Sequence, residues 1–310
     1  MAERIVLGTR GSELALTQAR LVTAALHECW AEVEIETRII RTSGDEGQGA
    51  PQPVDLRAGR KGLFTSEIER ALVAGEIDLA VHSAKDLPSD VNPATHIAAV
   101  LPRAPSGDAL ISAVPYDLQT LPRGGMVATG SVRRRHQLRW KRPDLEVADL
   151  RGNVPTRLGK LASSEWHALI LAQAGLQRLG LTGADGGLIY EGQKFAVQTL
   201  PPEIFVSAGG QGVIALQIRA DDDHVRMLLE SVNHFDTRLC LRAEREFLRL
   251  LEADCNQPIG VLAEIEGAIM KIRGQIFEPG AATPREASVD GPSEEAESLA
   301  ARLFSMIHGL

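Results

Sequence analysis

The chain has 310 residues, of which 44% are hydrophobic and 24% charged, and this composition excludes a disordered protein. Its net charge of −8 and its aromatic content of only 4% argue against a nucleic-acid coat protein and against a platform for stacked bases. No apolar run reaches the roughly 18 residues that a membrane-spanning helix needs, so we expect no membrane segment.

The start of the chain lacks the apolar core of a secretion signal, because Arg10 interrupts it. Three widely spaced cysteines do not form a disulfide framework. Both features indicate a reducing compartment. We expect the cytoplasm, or an organelle if a transit peptide has been removed.

The first third of the chain alternates between strand and helix patterns. Residues 5–7 predict a strand, and Ser12 is placed to cap a helix whose apolar positions continue to Leu26. A second strand is predicted over 33–40. Thr65 is placed to cap a further helix that ends at Gly75, before a strand over 77–81. This alternation favours a mostly parallel sheet with helices on its faces.

Residues 42–62 have a different composition, with five glycines and two prolines. A loop of this length inside a compact domain is usually functional, so we interpret it as a flexible lid.

The strand and helix pattern restarts after a hinge-like stretch at 101–107. Strands are predicted over four short apolar runs, with helices after Ser131 and Val154; the runs are 109–113, 127–129, 145–147 and 168–171. Residues 181–202 look like a second connection, because they are rich in glycine and polar residues. A strand over 213–218 then suggests that the chain returns to its first domain.

A last unit begins near Asp236 with an amphipathic helix, followed by two strands and a closing helix. The predicted fold class is therefore α/β, with two doubly wound domains and a small α+β C-terminal domain. We place domain 1 at 1–101 with 213–230, domain 2 at 106–206 and the C-terminal domain at 236–310.

Positive charge is concentrated in residues 131–160, which contain nine lysines or arginines and three acids. Arg133 and Arg134 lie in the first turn of a predicted helix, where cations oppose the helix dipole unless an anion is bound there. Arg10 with Ser12, and Arg151 with Asn153, follow strands in the same way. Such loops meet at the carboxyl edge of a parallel sheet, where open α/β sheets bind ligands. On charge alone, an anion-binding cleft and a solvated arginine face are equally well supported.

Several common motifs are absent from the sequence: the P-loop, the dinucleotide-binding glycine pattern, the zinc-protease pattern and the CxxC pair. A metal site is therefore not expected. Cys29 and Cys240 fall in apolar-periodic helices and are interpreted as core residues. Cys255 lies in a loop and Asp86 follows a strand; on residue type alone, an inert thiol and a loop ion pair are the simpler interpretations.

Taken in order, the motifs resemble those of the porphobilinogen deaminase family. The matching segments span nearly the whole chain: TRGSELALTQA (9–19), GRKGLFTSEIE (59–69), DLAVHSAKDLP (78–88), TGSVRRRHQL (129–138), LRGNVPTRLGKL (150–161), ILAQAGLQRLGL (170–181), GGQG (209–212) and DCNQPIG (254–260).

The resemblance implies a transferase of tetrapyrrole (haem and porphyrin) synthesis that joins four porphobilinogen molecules head to tail, releases ammonia and frees hydroxymethylbilane. It implies two periplasmic-binding-protein-like domains plus a small C-terminal domain, and a monomer that binds neither nucleic acid nor membrane. It also implies a covalent dipyrromethane cofactor, joined by a thioether to Cys255. No metal is implied.

The resemblance further assigns roles to individual residues. Asp86 is the expected catalytic carboxylate, and Lys61 with Phe64 corresponds to the end of the loop that covers the cleft. The positions expected to bind the acidic side chains of cofactor and substrate are Arg10, Ser12, Lys61, Ser83, Lys85, Thr129, Ser131, Arg133, Arg134, Arg151, Asn153, Arg157, Arg178 and Gln211.

Two other function classes stay open at this point. A non-catalytic anion-binding protein could use the same two-lobed scaffold, because a fold does not determine a function. An arginine-rich nucleic-acid binder is disfavoured by the net charge and the low aromatic content. A covalent adduct on Cys255 would separate the enzyme from both alternatives.

Overall fold

The computed structural model describes residues 4–42, 65–89, 92–183, 186–253 and 257–310. Within these ranges, no helix is long and apolar enough to cross a membrane. In chain order, the described helices and strands are β1 (Arg4–Thr9), α1 (Glu13–Cys29), β2 (Glu34–Ile39), α2 (Ser66–Val73), β3 (Leu79–Ser83), β4 (Thr95–Val100), β5 (Asp108–Ser112), β6 (Met126–Ala128), α3 (Val132–Lys141), β7 (Glu146–Ala148), α4 (Val154–Ser163), β8 (Ala168–Ala172), α5 (Gln173–Arg178), β9 (Leu188–Tyr190), β10 (Gln193–Thr199), β11 (Ile214–Arg219), α6 (Asp223–Glu230), α7 (Phe235–Leu250), β12 (Ile259–Glu266), β13 (Ile269–Ile276), β14 (Arg285–Pro292) and α8 (Ala296–His308).

The first sheet has the strand order β2-β1-β3-β11-β4. β1 pairs in parallel with β2 and β3, whereas β11 runs antiparallel to both of its neighbours. Helices α1 and α6 cover one face, where Leu26 and Leu229 are fully buried, and α2 covers the other with Leu72. The late strand β11 therefore completes a sheet that the first hundred residues begin, as the return of the chain predicts.

The second sheet has the order β7-β6-β8-β5-β10-β9. Its first three strands are parallel and its last three are joined antiparallel. Helices α4 and α5 pack on one face, and α3 packs on the other through Leu138.

The third sheet, β12-β13-β14, is antiparallel and packs against α7 and α8. The two larger sheets are mixed and not mostly parallel as expected, because β11 in the first sheet and β5 and β10 in the second run antiparallel to their neighbours. The predicted fold class, α/β with two such domains and one small α+β unit, is confirmed. The predicted residue bounds of the domains stay a prediction.

Local sequence patterns explain where several elements begin and end. The Ser12 hydroxyl accepts a hydrogen bond from the Ala15 N–H and so caps α1 as predicted. Gly75 takes the left-handed conformation just beyond α2, with φ of 73°, as its predicted role as a helix terminator requires. Thr65 does stand at the start of α2, but its side chain makes no capping hydrogen bond.

Two further interpretations of the sequence are wrong. The stretch 181–202 is more than a connection, because it contains β9 and β10, and β10 pairs with β5 inside the second sheet. Cys29 is exposed at the end of α1, whereas Cys240 is buried as expected. The helical period places Cys29 near the apolar stripe of α1. The last buried residue of that helix is Leu26, however, and Cys29 is its final residue.

A buried carboxylate, Glu244 of α7, joins three regions of the fold. It pairs with Arg103 of the hinge-like stretch at 2.7 Å and accepts hydrogen bonds from the backbone N–H groups of Gly210 at 2.6 Å and Ala263 at 2.8 Å. These donors satisfy a carboxylate that is fully buried. The contacts of Glu244 therefore fix α7 against both the loop before β11 and the C-terminal sheet.

Candidate active site

A cavity lies where β1 and β3 end at the carboxyl edge of the first sheet. Arg10, Ser12, Ser83 and Asp86 line it together, so the structure brings four of the predicted site residues to one place. His82 also lines this cavity, and burial lowers its pKa to about 4. The imidazole is therefore neutral near pH 7 and adds no charge to the wall.

Short-range contacts hold this wall in place. Asp86 belongs to a single 3-10 turn over Ala84–Asp86 that follows β3 directly. The Ser83 hydroxyl accepts a hydrogen bond of 2.8 Å from the Gln18 amide of α1. Gly210, at φ of 74°, approaches the turn so closely that a Cβ there would lie 3.0 Å from the Lys85 nitrogen. The turn that carries Asp86 is thus packed against glycine backbone from behind.

Lys85 lies beside this turn within a polar cluster. Its ammonium donates to the Gln211 side-chain oxygen at 3.4 Å. Burial, together with the positive charge of Arg134, lowers the pKa of Lys85 to about 8, although Asp86 and Asp108 oppose the shift. Gln211 donates in turn to Asp108 at 2.8 Å.

Arg133 and Arg134 of α3 turn their guanidinium groups inward. Both pair with the buried carboxylate of Asp108, at 2.8 and 2.7 Å, and Arg133 also donates to the Val206 carbonyl. Burial alone would raise the pKa of Asp108, but the two arginines outweigh it and hold that pKa below its ordinary value. The anion expected at the start of this helix is therefore supplied by the chain itself. Binding of a ligand by these two arginines stays a prediction.

The remaining arginines of the second sheet differ in their surroundings. Arg157 is partly buried, and its pKa is lowered by burial and by Arg134, while the negative charge of Asp86 opposes that shift. The charges of Arg157 and Asp86 are therefore close enough to act on each other. Arg178 donates to the Gly212 carbonyl at 2.7 Å, and burial lowers its pKa to about 10. Arg151 is different, because it is 68% exposed and pairs with Asp149 at the surface.

Three predicted polar residues act on the backbone in this structure. Ser131 caps α3 by accepting from the Arg134 N–H, and Asn153 caps α4 by accepting from the Thr156 N–H at 2.9 Å. The buried Thr129 hydroxyl accepts from the Ser131 N–H at 3.2 Å. These contacts shape the two loops at the carboxyl edge of the second sheet.

Lys61, Phe64 and Cys255 lie outside the described residues, as does most of the predicted lid. The described neighbour of the cysteine segment is Ala253, whose carbonyl accepts a hydrogen bond of 3.3 Å from the Ser89 hydroxyl. Ser89 follows Asp86 by three residues. The stretch that follows Asp86 is thus in contact with Ala253, the last described residue before Cys255.

Sequence reasoning missed three buried polar residues that support the site: Asp108, Gln18 and Glu244. Glu244 carried a signal, since it lies on the stripe of α7 between the buried Cys240 and Phe247. A charge inside an apolar stripe indicates a buried pair. Asp108 stands just before the predicted strand over 109–113 and is the first residue of β5; nothing in its local pattern distinguished it from a loop residue.

Two family models match the chain and agree with this arrangement. One, described as "Porphobilinogen deaminase, dipyromethane cofactor binding domain", matches residues 5–227, and the other, "Porphobilinogen deaminase, C-terminal domain", matches residues 238–308. The chain belongs to the porphobilinogen deaminase family. The expected activity, that of a hydroxymethylbilane synthase in tetrapyrrole biosynthesis, and the expected dipyrromethane cofactor are thereby confirmed.

Relatives with high coverage support the assignment. Porphobilinogen deaminase of Syntrophomonas wolfei is 41% identical over 96% of this chain and 92% of its own length. The Roseiflexus enzyme is 44% identical over 89% and 86%, and the Nitrobacter hamburgensis enzyme 42% over 95% and 90%. Among solved structures, the probable amino-acid ABC transporter extracellular-binding protein ytmK of Bacillus subtilis is similar, with a TM-score of 0.41 and 10% identity over 75% of this chain and 90% of that one.

Proposed function

We propose that the cavity at the ends of β1 and β3 is where porphobilinogen units are joined head to tail, four in succession. Asp86 is the catalytic carboxylate, and Cys255 is the attachment point of the dipyrromethane cofactor. The observation that supports this assignment best is the meeting of Arg10, Ser12, Ser83 and Asp86 in one cavity. A carboxylate among cations and hydroxyl donors suits a positively charged reacting centre whose substituents are acids.

The charge balance around the cavity fits a polycarboxylate. Each pyrrole ring of the cofactor and substrate carries an acetate and a propionate. Lys85, Arg157 and Arg178 have pKa values lowered chiefly by burial, so each would gain from an added negative charge nearby. Ser12 and Ser83 offer hydroxyl donors beside Arg10. These residues would hold the acidic side chains, each through charge-assisted or neutral hydrogen bonds.

When bound, dipyrromethane supplies the free pyrrole α-carbon to which the first substrate is joined. The chain's own residues act on the substrate. Loss of ammonia from the aminomethyl group of porphobilinogen leaves a positive charge on that molecule, and the Asp86 carboxylate stabilises it. Arg157, whose charge interacts with that of Asp86, is the residue that would orient a substrate carboxylate beside it.

The pH dependence of substrate binding follows from Lys85. An amine with a pKa of about 8 carries its charge below that pH and loses it above, so carboxylate binding weakens as pH rises through 8. We expect the KM for porphobilinogen to rise about tenfold between pH 7 and pH 9, the equivalent of about 1.4 kcal/mol. In Lys85→Arg, the guanidinium stays charged and this rise is expected to disappear.

The exposed Lys141, which lies over the Trp140 ring, gives a matched control. Lys141→Arg should keep the wild-type pH profile in steady-state kinetics. A wild-type KM that is constant up to pH 9 would count against the role of Lys85.

The proposal also includes the domain bounds, the assembly state and the location. Domain 1 spans 1–101 with 213–230, domain 2 spans 106–206, and the C-terminal domain spans 236–310; each of the three sheets lies within one of these sets. We expect a monomer in the cytoplasm. Sedimentation equilibrium of the purified protein tests the assembly state, and a stable dimer would contradict it.

Intact-mass spectrometry of the purified protein tests the proposed chemistry most directly. The wild type should carry the mass of one dipyrromethane, and Cys255→Ser should lack it and should release no ammonia from porphobilinogen. Cys29→Ser, which changes an exposed thiol, should keep the added mass. A well-folded wild type without an added mass that still binds small polyanions would instead be a non-catalytic anion-binding protein.

A further inference from the structure

Arg245 of α7 connects the helix to the segment that follows Asp86. Its Nη2 group donates to two consecutive backbone carbonyls, that of Pro88 at 2.8 Å and that of Ser89 at 2.9 Å. A guanidinium nitrogen with two hydrogens can satisfy both acceptors at once, which fixes the direction of the backbone as well as its distance.

The same short segment reaches the stretch before Cys255. The Ser89 hydroxyl donates to the Ala253 carbonyl at 3.3 Å, and Ala253 precedes Cys255 by two residues. Arg245, Ser89 and Ala253 thus form a chain of hydrogen bonds, here called the 245–89–253 latch. It joins the stretch that follows Asp86 to the stretch that precedes Cys255.

The residue before Arg245 holds the Asp86 turn from its other side. Glu244 accepts from the Gly210 N–H at 2.6 Å, and Gly210 packs directly behind Ala84 and Lys85. Two adjacent residues of one helix therefore fix the 3-10 turn of Asp86 at both ends, one through Gly210 and one through the carbonyls of Pro88 and Ser89.

We infer that Arg245 is a positioning residue, which sets the placement of the Asp86 turn relative to the segment that bears the cofactor. The inference rests on the proposed roles of Asp86 and Cys255. Successive condensations need one carboxylate to meet the reacting carbon each time, and a misplacement of about 1 Å costs on the order of 100-fold in rate. A latch that runs through backbone carbonyls positions both segments without adding a charged group to the cavity.

The surroundings of Arg245 allow this role to be separated from packing. Ser89 and Arg245 line a groove of about 280 Å³ together with Arg242 and Ile97. A shorter or less polar side chain at 245 therefore has room, and water can reach the two carbonyls that it leaves. The fold should tolerate the change while the latch is lost.

The experiment compares Arg245→Met with Arg242→Met in the cofactor-loaded enzyme. Arg242 lies on the same face of α7 but pairs with Glu297, and its side chain is 50% exposed, so it serves as the matched control. Amide hydrogen exchange is followed by mass spectrometry in peptides that cover 84–92 and 250–258. Arg245→Met should speed exchange at least about fivefold in both peptides and should lower kcat on the order of tenfold with KM little changed.

Two further variants separate the parts of the latch. Ser89→Ala should speed exchange in the 250–258 peptide only, because Arg245 still holds the Pro88 and Ser89 carbonyls. Arg245→Lys keeps the charge and one donor site and should restore part of kcat.

The inference is overturned if Arg245→Met leaves exchange in both peptides and kcat per loaded molecule within twofold of the wild type. A purely structural role would give a lower melting temperature and a smaller loaded fraction, with kcat per loaded molecule unchanged, and would also overturn it. If the wild type itself carries no added mass and releases no ammonia, the proposed function fails, whereas the exchange result still reports on the latch.

Discussion

Asp86→Asn is expected to lower kcat by about 10²–10³-fold while the dipyrromethane stays attached. The amide keeps the size of the side chain and removes its negative charge, so the cavity of Arg10, Ser12 and Ser83 loses its acid and stays open to substrate. The positive charge that forms on porphobilinogen when ammonia leaves would then meet cations without a compensating carboxylate. Ammonia release, measured per mole of loaded enzyme, reports the effect.

Asp149→Asn is the control for this variant. Asp149 also follows a strand at the carboxyl edge of a sheet, but it pairs with the exposed Arg151 at the surface. We expect ammonia release within about twofold of the wild type, because exposed ion pairs contribute little. Ammonia release by Asp86→Asn at near the wild-type rate would refute the catalytic role of that carboxylate.

Asp108→Asn is expected to lower the free energy of unfolding by about 3–5 kcal/mol, the usual cost of removing one partner from a buried charge pair. The carboxylate is fully buried between Arg133 and Arg134 and also accepts from Gln211. An amide offers one oxygen instead of two and leaves two buried guanidinium groups without a counter-charge. Urea unfolding followed by circular dichroism measures the loss.

The sign of the pH dependence of Asp108 can be stated in advance. Its folded-state pKa lies below the ordinary value, so its contribution to stability is present above the unfolded-state pKa of about 3.9 and is lost as pH falls through the folded-state pKa. The difference between wild type and Asp108→Asn should therefore be constant from pH 5 to about pH 6. Closer to pH 8 it changes, because Asp108 also raises the pKa of Lys85.

Asp144→Asn provides a matched comparison, because Asp144 also pairs with an arginine through both oxygens but is 29% exposed. We expect it to cost no more than about 1 kcal/mol. Equal losses of unfolding free energy for Asp108→Asn and Asp144→Asn would show that burial of Asp108 between Arg133 and Arg134 does not increase its contribution to stability.

The sequence predicted the fold well wherever one local pattern decided the outcome. Ser12 and Ser131 cap helices because a serine hydroxyl just before a helix can accept a hydrogen bond from a free N–H of its first turn, although Thr65 in the same position does not. The interpretation of residues 181–202 as a connection was wrong because no local pattern decides the structure of this stretch. β10 forms because it pairs with β5, which lies eighty residues earlier in the chain. Its exposed polar side chains gave no apolar pattern from which a strand could be predicted.

The candidate site shows the same division. Arg10 and Asp86 were predicted at strand ends and Ser83 was implied by the family resemblance, and the cavity does bring the three together. The sequence did not predict that Arg133 and Arg134 point inward. Their direction depends on Asp108, which lies 25 positions before Arg133 and has no local pattern that marks it as buried. Long-range pairing of buried charges leaves no local period, so only the folded chain reveals which arginines can face a ligand.

The placement of β11 between β3 and β4 has a consequence for folding of the chain during its own translation. A nascent chain that has emerged from the ribosome up to residue 100 contains β4 but lacks β11, its one neighbouring strand among the described residues, which comes more than a hundred residues later. Until then the apolar edge of residues 95–100 is a template for pairing with other chains. We therefore expect truncated translation products that end between residues 100 and 213 to aggregate and to need chaperones, whereas chains that extend past residue 219 can pair β4 with their own β11.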